Sequence, residues 1–219
     1  VLLTPRRRQL AVTVGLVGAV WLAYVWWAWG GDPWAQGDNL ALEVDTWAFG
    51  GYRTDGILQT VMSTATVVGG AFAGRLLQQV KDRRALARKL LLRGGWLLGV
   101  TLLILPFVPV NKRLWTPSFT TVTLATSFVL LAAAVWLVDV RGITRPAAPL
   151  VHVGVNPIVV YMLFMTALAL LDKFGEDLTP SIAPAGYPTL GFLTYAVGWT
   201  VLWWFVAYVL YRRKIFIRI

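Results

Sequence analysis

Long apolar runs alternate with short charged segments along the whole chain. Crossing a bilayer takes about 20 mostly apolar residues. Six stretches meet that length: Leu10–Trp29, Gly56–Leu77, Gly94–Val110, Phe119–Val138, Leu150–Leu171 and Leu190–Tyr211. The third is at the short limit and ends in Pro106 and Pro109, which remove backbone donors and stop or bend a helix. The pattern predicts an all-α, polytopic membrane protein of about six transmembrane helices, with residues 1–219 forming a single helical bundle.

The charged segments alternate in sign from crossing to crossing. Arg6–Arg8, the cluster from Lys81 to Arg93, Arg141 with Arg145, and the tail from Arg212 to Arg218 fall on one side. Asp32, Asp38, Glu43, Asp45, Asp55, Asp172, Glu176 and Asp177 fall on the other, with only Arg53, Lys112, Arg113 and Lys173 as basic company. Basic loops stay in the cytoplasm, so both termini are expected there. The tryptophans follow the same layout. Trp21, Trp26, Trp27 and Trp29 crowd the outer end of the first run, and Trp199, Trp203, Trp204, Tyr208 and Tyr211 line the last. Such rings favour the interface, where the body is buried and the polar edge stays wet.

Composition narrows the classes further. Charged residues make up 14% of the chain, against about a quarter in soluble domains, so they are too few to cover a globular surface. A net charge of +10 would suit nucleic acid, but the cations lie between apolar runs, which suits an anionic membrane face and no nucleic acid. There is no cysteine, which excludes disulfide and thiolate chemistry, and the single histidine, His152, excludes a His-rich metal site. The first residue is Val1, and Arg6-Arg7-Arg8 leads straight into a full-length apolar run. That start lacks the short apolar core and cleavage site of a secretory signal and reads as a cut between two spans of a longer protein.

Two spans carry unusual polarity. The second holds Gln59, Thr60, Ser63, Thr64 and Thr66, with Gly70 and Gly74 four apart; the fourth opens on Thr120, Thr121, Thr123, Thr126 and Ser127. Small and hydroxyl residues let membrane helices approach and bond across the contact. These two are expected inside the bundle or along a cavity.

Polar groups near the bilayer are costly and need a reason. Between Pro109 and Pro117 stand Asn111, Lys112, Arg113, Trp115 and Thr116, with Ser118 following. Lys112 offers a mobile charge, Asn111 both donors and acceptors, and Trp115 an aromatic face, so the turn can bind an anion or a sugar. It can equally be an interfacial anchor. Asn156, ahead of Pro157 with its backbone expected extended and its carbonyl free, either bonds a neighbouring helix or shapes a ligand cavity. His152, near the same interface, reads as a helix-end residue rather than a catalyst. Asp139 beside Arg141 suggests a local ion pair, and Asp55 ahead of the second span suits a helix N-terminus. No spacing of carboxylates points to a glycosidase or a metal.

At the turn the sequence resembles a known family. Pro109-Val-Asn-Lys-Arg-Leu-Trp-Thr-Pro-Ser-Phe119 is similar to the Pro-Ile-Asn-Lys-x-Leu-Trp-Ser-x-Ser-Tyr motif of the heparan-α-glucosaminide N-acetyltransferase-like membrane proteins, which include bacterial relatives. Tyr52-Arg-Thr-Asp-Gly-Ile-Leu58, Trp136-Leu-Val-Asp-Val140 and Val153-Gly-Val-Asn-Pro-Ile158 look like three further family segments in the same order. Arg53 and Thr54 replace an Asp-Pro pair there, and Asp55 stands for a Glu. The resemblance implies acyl transfer from acetyl-CoA or another acyl-CoA, as donor substrate with no bound cofactor, to an amino sugar or other glycan across a membrane. Asn111, Lys112, Trp115, Ser118 and Asn156 become candidates for binding substrate or CoA, with Asp55 and Asp139 as weaker ones. The family's catalytic histidine lies in an early segment with no counterpart here. The chain thus resembles the C-terminal portion, with the catalytic residue expected upstream of Val1 and the fragment alone expected inactive. The implied partners are the bilayer, the upstream spans, a glycan acceptor and a second copy, and the implied location is a bacterial cytoplasmic membrane. A transporter or flippase, or a non-enzymatic scaffold, remain the rival readings.

Overall fold

A computed structural model describes residues 6–28, 32–34, 39–51, 56–167 and 188–216. Every element among them is helical: α1 (Arg6–Ala28), α2 (Leu40–Phe49), α3 (Ile57–Gln79), α4 (Arg83–Ile104), α5 (Pro117–Ala134), α6 (Ala148–Val155), α7 (Pro157–Ala167) and α8 (Pro188–Arg212). A π-helical turn, Val135–Val140, prolongs α5, and a short 3-10 turn, Arg145–Ala147, leads into α6. Contacts divide the chain into two compact units, Val1–Gly142 and Ile143–Ile219.

Local chemistry explains where the helices start. Asn39 caps α2 by accepting from the Leu42 N–H at 3.1 Å, and Asp82 caps α4 by accepting from Arg84 N–H at 2.9 Å. Thr116 caps α5 with Pro117 at its first position, where the missing N–H costs nothing.

Three helices are long and apolar enough to cross a membrane: Ala11–Ala28 in α1, Ile57–Gln79, and Pro117–Val140. A fourth crossing results if the bent pair Arg145–Val155 and Pro157–Ala167 counts as one. The chain is an integral membrane protein on that pattern of helices, matching the all-α expectation. The boundaries differ at two expected spans. The apolar run from Gly94 is the second half of α4, whose first half carries Arg83, Arg84, Arg88, Lys89 and Arg93. The run from Leu150 is broken at Asn156, with a bend of 68°. The family segment at Val153–Ile158 therefore marks a break between helices rather than a point inside one.

The first unit packs around two apolar clusters at opposite ends of α3. One joins Leu76 to Leu86, Ala87 and Leu90 of α4 and Phe128 and Ala132 of α5. The other joins Tyr24, Trp34, Ala41, Val108 and Leu114, with Leu58 against it. Close approach comes from two glycines. A Cβ on Gly94 would lie 2.8 Å from Val129 Cγ2 and 3.1 Å from the Ala125 carbonyl, and one on Gly69 would strike the Leu124 side chain. Gly70 and Gly74, the pair that the spacing singled out, face open space. Most hydroxyls on α3 and α5 bond back to their own helix, as Thr64 does to the Thr60 carbonyl and Ser127 to that of Thr123. The bond that crosses is Thr101 to Thr121, 2.8 Å, between α4 and α5.

Candidate functional site

Pro106 and Pro109 end α4, and Thr116-Pro117 starts α5, so the chain between them must turn within a few residues. The turn is tied by hydroxyls. Thr116 and Ser118 both donate to the Pro109 carbonyl, at 2.9 and 2.8 Å, and the two oxygens are 3.0 Å apart. Thr116 Oγ1 also accepts from the Asn111 N–H at 3.1 Å. Both side chains are fully buried. Asn111 Oδ1 accepts from the N–H groups of Arg113 and Leu114, at 2.9 and 3.3 Å, which rolls the backbone over its own side chain. Leu114 points inward to the cluster of Tyr24 and Trp34 and fixes the turn to the bundle.

What remains faces outward. Lys112 and Arg113 are exposed with no carboxylate partner among the described residues, and Asn111 keeps its amide NH2 unused. Trp115 stands at φ +50°, a left-handed conformation that costs a non-glycine residue about 1 kcal/mol or more. Its ring meets Phe119 edge-on, with centroids 5.4 Å apart. Two cations, an amide and a braced indole therefore share one rigid turn. Of the residues expected to bind here, Lys112 and Trp115 present their functional groups, Asn111 presents half of its amide, and Ser118 is consumed by the turn.

The same end of α3 carries a second polar feature. Asp45, wholly buried on α2, accepts from the Ile57 N–H at 3.2 Å and so caps α3 from another helix. Gly56 has to be glycine, because a Cβ there would overlap the Asp45 carboxylate. The helix-terminal carboxylate that the sequence placed at Asp55 is supplied by Asp45; Asp55 lies outside the described residues. Two groups were passed over as site candidates. Gln59 is 1% exposed and both its amide atoms lack partners among the described residues, and the Thr120 hydroxyl, 3% exposed, also lacks one there. An amide inside an apolar run was the available signal for Gln59.

The other candidates separate from the turn. Asp139 pairs with Arg83, at 3.8 Å between half-exposed side chains, and not with Arg141, whose guanidinium instead lies 4.4 Å above the Trp136 ring. Residues two apart on a helix point to different sides, so Arg141 does not face Asp139, and the π-turn brings it back over residue 136. In the second unit, Asn156 is 1% exposed and its Nδ2 donates to the Ile215 carbonyl at 2.6 Å, tying the α6–α7 break to the chain beyond α8. Its own carbonyl is not free, as expected for an extended residue, but accepts from Val160 N–H at 3.1 Å, opening α7. His152 is ringed by Trp204, Tyr208 and Tyr211, with centroids 5.8, 5.2 and 4.8 Å away, and Trp204 Nε1 donates to the Pro149 carbonyl. That surrounding is an interhelical packing contact. No group of three or more potential metal ligands forms among the described residues.

No family model matches the chain. Human heparan-alpha-glucosaminide N-acetyltransferase is 30% identical over 184 residues, 77% of this chain and 25% of that protein. The mouse protein of the same name is 29% identical over 187 residues, covering 77% and 26%. The chain thus spans about a quarter of the length of the curated relatives it matches. That likeness runs across most of its 219 residues, and over them the chain is similar to the heparan-α-glucosaminide N-acetyltransferases.

Proposed function

We propose that this chain is part of a membrane-bound acyltransferase that moves an acetyl or other acyl group from acyl-CoA to an amino sugar or other glycan acceptor on the opposite side of the membrane. The observation that carries the reading is the Pro109–Phe119 turn. Its hydroxyls and the Asn111 side-chain carbonyl brace it from within, while Lys112 and Arg113 face out beside the half-buried Trp115. A thioester is already activated, so transfer needs a base for the incoming amine or hydroxyl and donors for the developing oxyanion. Lys112 and the Asn111 NH2 are the donors this reading assigns, either to that oxyanion or to a phosphate or sugar hydroxyl. Trp115 gives the acceptor ring a face to stack on. The base is assigned to residues beyond these 219, because His152, the sole histidine, is enclosed by aromatic rings. Six crossings complete the reading, with the apolar half of α4, the bent α6–α7 pair and α8 added to the three long spans, both termini in the cytoplasm and the turn on the far face. The resident membrane is assigned as a bacterial cytoplasmic membrane, with a second copy of the chain as a partner.

Lys112→Ala in the complete protein tests it. CoA thiol release with an amino-sugar acceptor should fall at least about tenfold, a loss of one or more charge-assisted hydrogen bonds in the transition state. Unchanged release with folded protein removes Lys112 from the site. The break at Asn156 favours one second reading, transport, since broken helices line substrate paths. A transporter would move the sugar unaltered and release no CoA thiol.

A further inference from the structure

Arg84 and Arg88 lie one turn apart on the same face of α4, with buried Ala87 beneath them and Leu91 a turn further on. Across from them, α5 offers Val129, Ala132 and Ala133. The small side chains leave a groove of about 710 Å³ between the two helices. The groove ends at the π-turn, where the Arg141 N–H bonds to the Trp136 carbonyl at 3.0 Å, five residues back. That extra residue in the turn carries the Arg141 guanidinium over the Trp136 ring, 4.4 Å from its centroid, at the mouth of the groove.

Three guanidinium groups therefore surround an apolar floor, and no carboxylate among the described residues lines it. The nearest acid on the π-turn, Asp139, is held by Arg83, which is not part of the lining. Like charges gathered without a counter-ion repel one another, and a phosphate, with several oxygens to offer the planar forks, relieves that repulsion. Position narrows the choice of phosphate. The groove lies at the end of the Pro117–Val140 span, where a tryptophan and long cations belong at the headgroup level. Its floor of alanine, leucine and valine suits an acyl chain rather than a fully hydrated ion.

We propose that this groove is a binding site for an anionic phospholipid, with the headgroup phosphate held by Arg84, Arg88 and Arg141 and one acyl chain lying on the alanine floor. The site is separate from the Pro109–Phe119 turn, at the other end of α5, and does not depend on the acyltransferase reading.

The test is native mass spectrometry of the complete protein in detergent, titrated with phosphatidylglycerol or phosphatidylcholine. The parent should retain phosphatidylglycerol preferentially. Arg84→Gln, Arg88→Gln and Arg141→Gln together should weaken its retention at least about tenfold, as expected for removing several interfacial cations. The corresponding Lys substitutions should keep most of it. Ala133→Phe fills the floor without altering any charge and should also reduce retention. Undiminished phosphatidylglycerol binding in the folded Gln variant overturns the assignment. If that variant does not fold, undiminished phosphatidylglycerol retention in Ala133→Phe overturns it instead. Displacement of the lipid by coenzyme A, with CoA binding lost in the Gln variant, would also overturn it by giving the groove to a nucleotide phosphate.

Discussion

Gln59 sets the residue-scale question, because a buried amide with no partner among the described residues is costly to keep. Leaving a buried donor or acceptor unpaired costs about 1–3 kcal/mol, more than a made hydrogen bond contributes. Gln59→Leu, similar in size and apolar, should therefore raise the thermal midpoint of the purified protein. If the amide serves a substrate, the same variant should lose acyl-transfer turnover while gaining stability, and a differential thermal scan paired with the thiol assay reads both. A lowered midpoint would mean that the amide is a structural tie. The contrast with Thr116 is instructive. Its hydroxyl is also fully buried, yet it donates to Pro109 and accepts from Asn111, so polarity there is consumed by the fold. Asn111 and Ser118 read from the sequence as ligand groups because donors and acceptors are visible in a sequence. Whether the turn itself uses them is decided by distances of about 3 Å that no spacing rule predicts.

Helix contacts decide the next scale, and α4 against α5 is the tightest of them. A methyl group added at Gly94 meets Val129 and the Ala125 backbone, whereas one at the adjacent Gly95 meets nothing within 4 Å. Gly94→Ala should lower stability by about 1–3 kcal/mol through overpacking. Gly95→Ala should be neutral or stabilising, by up to about 1 kcal/mol from helix propensity. Unfolding of the two variants in the same detergent checks the pair, and equal midpoints would contradict the α4–α5 contact. The sequence made Gly70 and Gly74 conspicuous by their four-residue spacing, yet Gly69 and Gly94 face neighbouring helices. Spacing along one helix says which residues share a face; it does not say which face meets a partner. The same limit applies at Asp139, where proximity in sequence favoured Arg141 and the packing of α4 beside the π-turn delivered Arg83.

At the scale of the molecule, orientation rests on the alternation of basic and acidic segments. The absence of native cysteine makes it directly measurable. A single cysteine replacing Arg113 should react with a membrane-impermeant maleimide from outside sealed cells, and one replacing Arg213 should react only after the membrane is permeabilised. The reverse pattern, or both residues on one side, would discard the six-span arrangement with cytoplasmic termini. Among the described residues three helices are long and apolar enough to cross, or four if the bent pair is one span, while α4 carries five cations in its first half.

By itself the sequence determined the helical class, the membrane as solvent, the sign pattern of the loops and the resemblance to the acetyltransferases. Each of these depends on sums over many residues, which survive local detail: about twenty apolar side chains cannot be left in water, and a likeness spread over 184 residues does not hinge on any one contact. Tertiary structure alone decided that Asp45 caps α3 and that Thr116 and Ser118 brace the turn while Lys112 and Arg113 face outward beside Trp115. It also set Asp139 against Arg83 and opened a groove beneath three arginines. Those outcomes hinge on ångström-scale meetings between residues far apart in the chain, or on one extra residue in a helical turn. Such meetings are fixed by how whole helices pack, and a pattern along a single strand of sequence does not contain them.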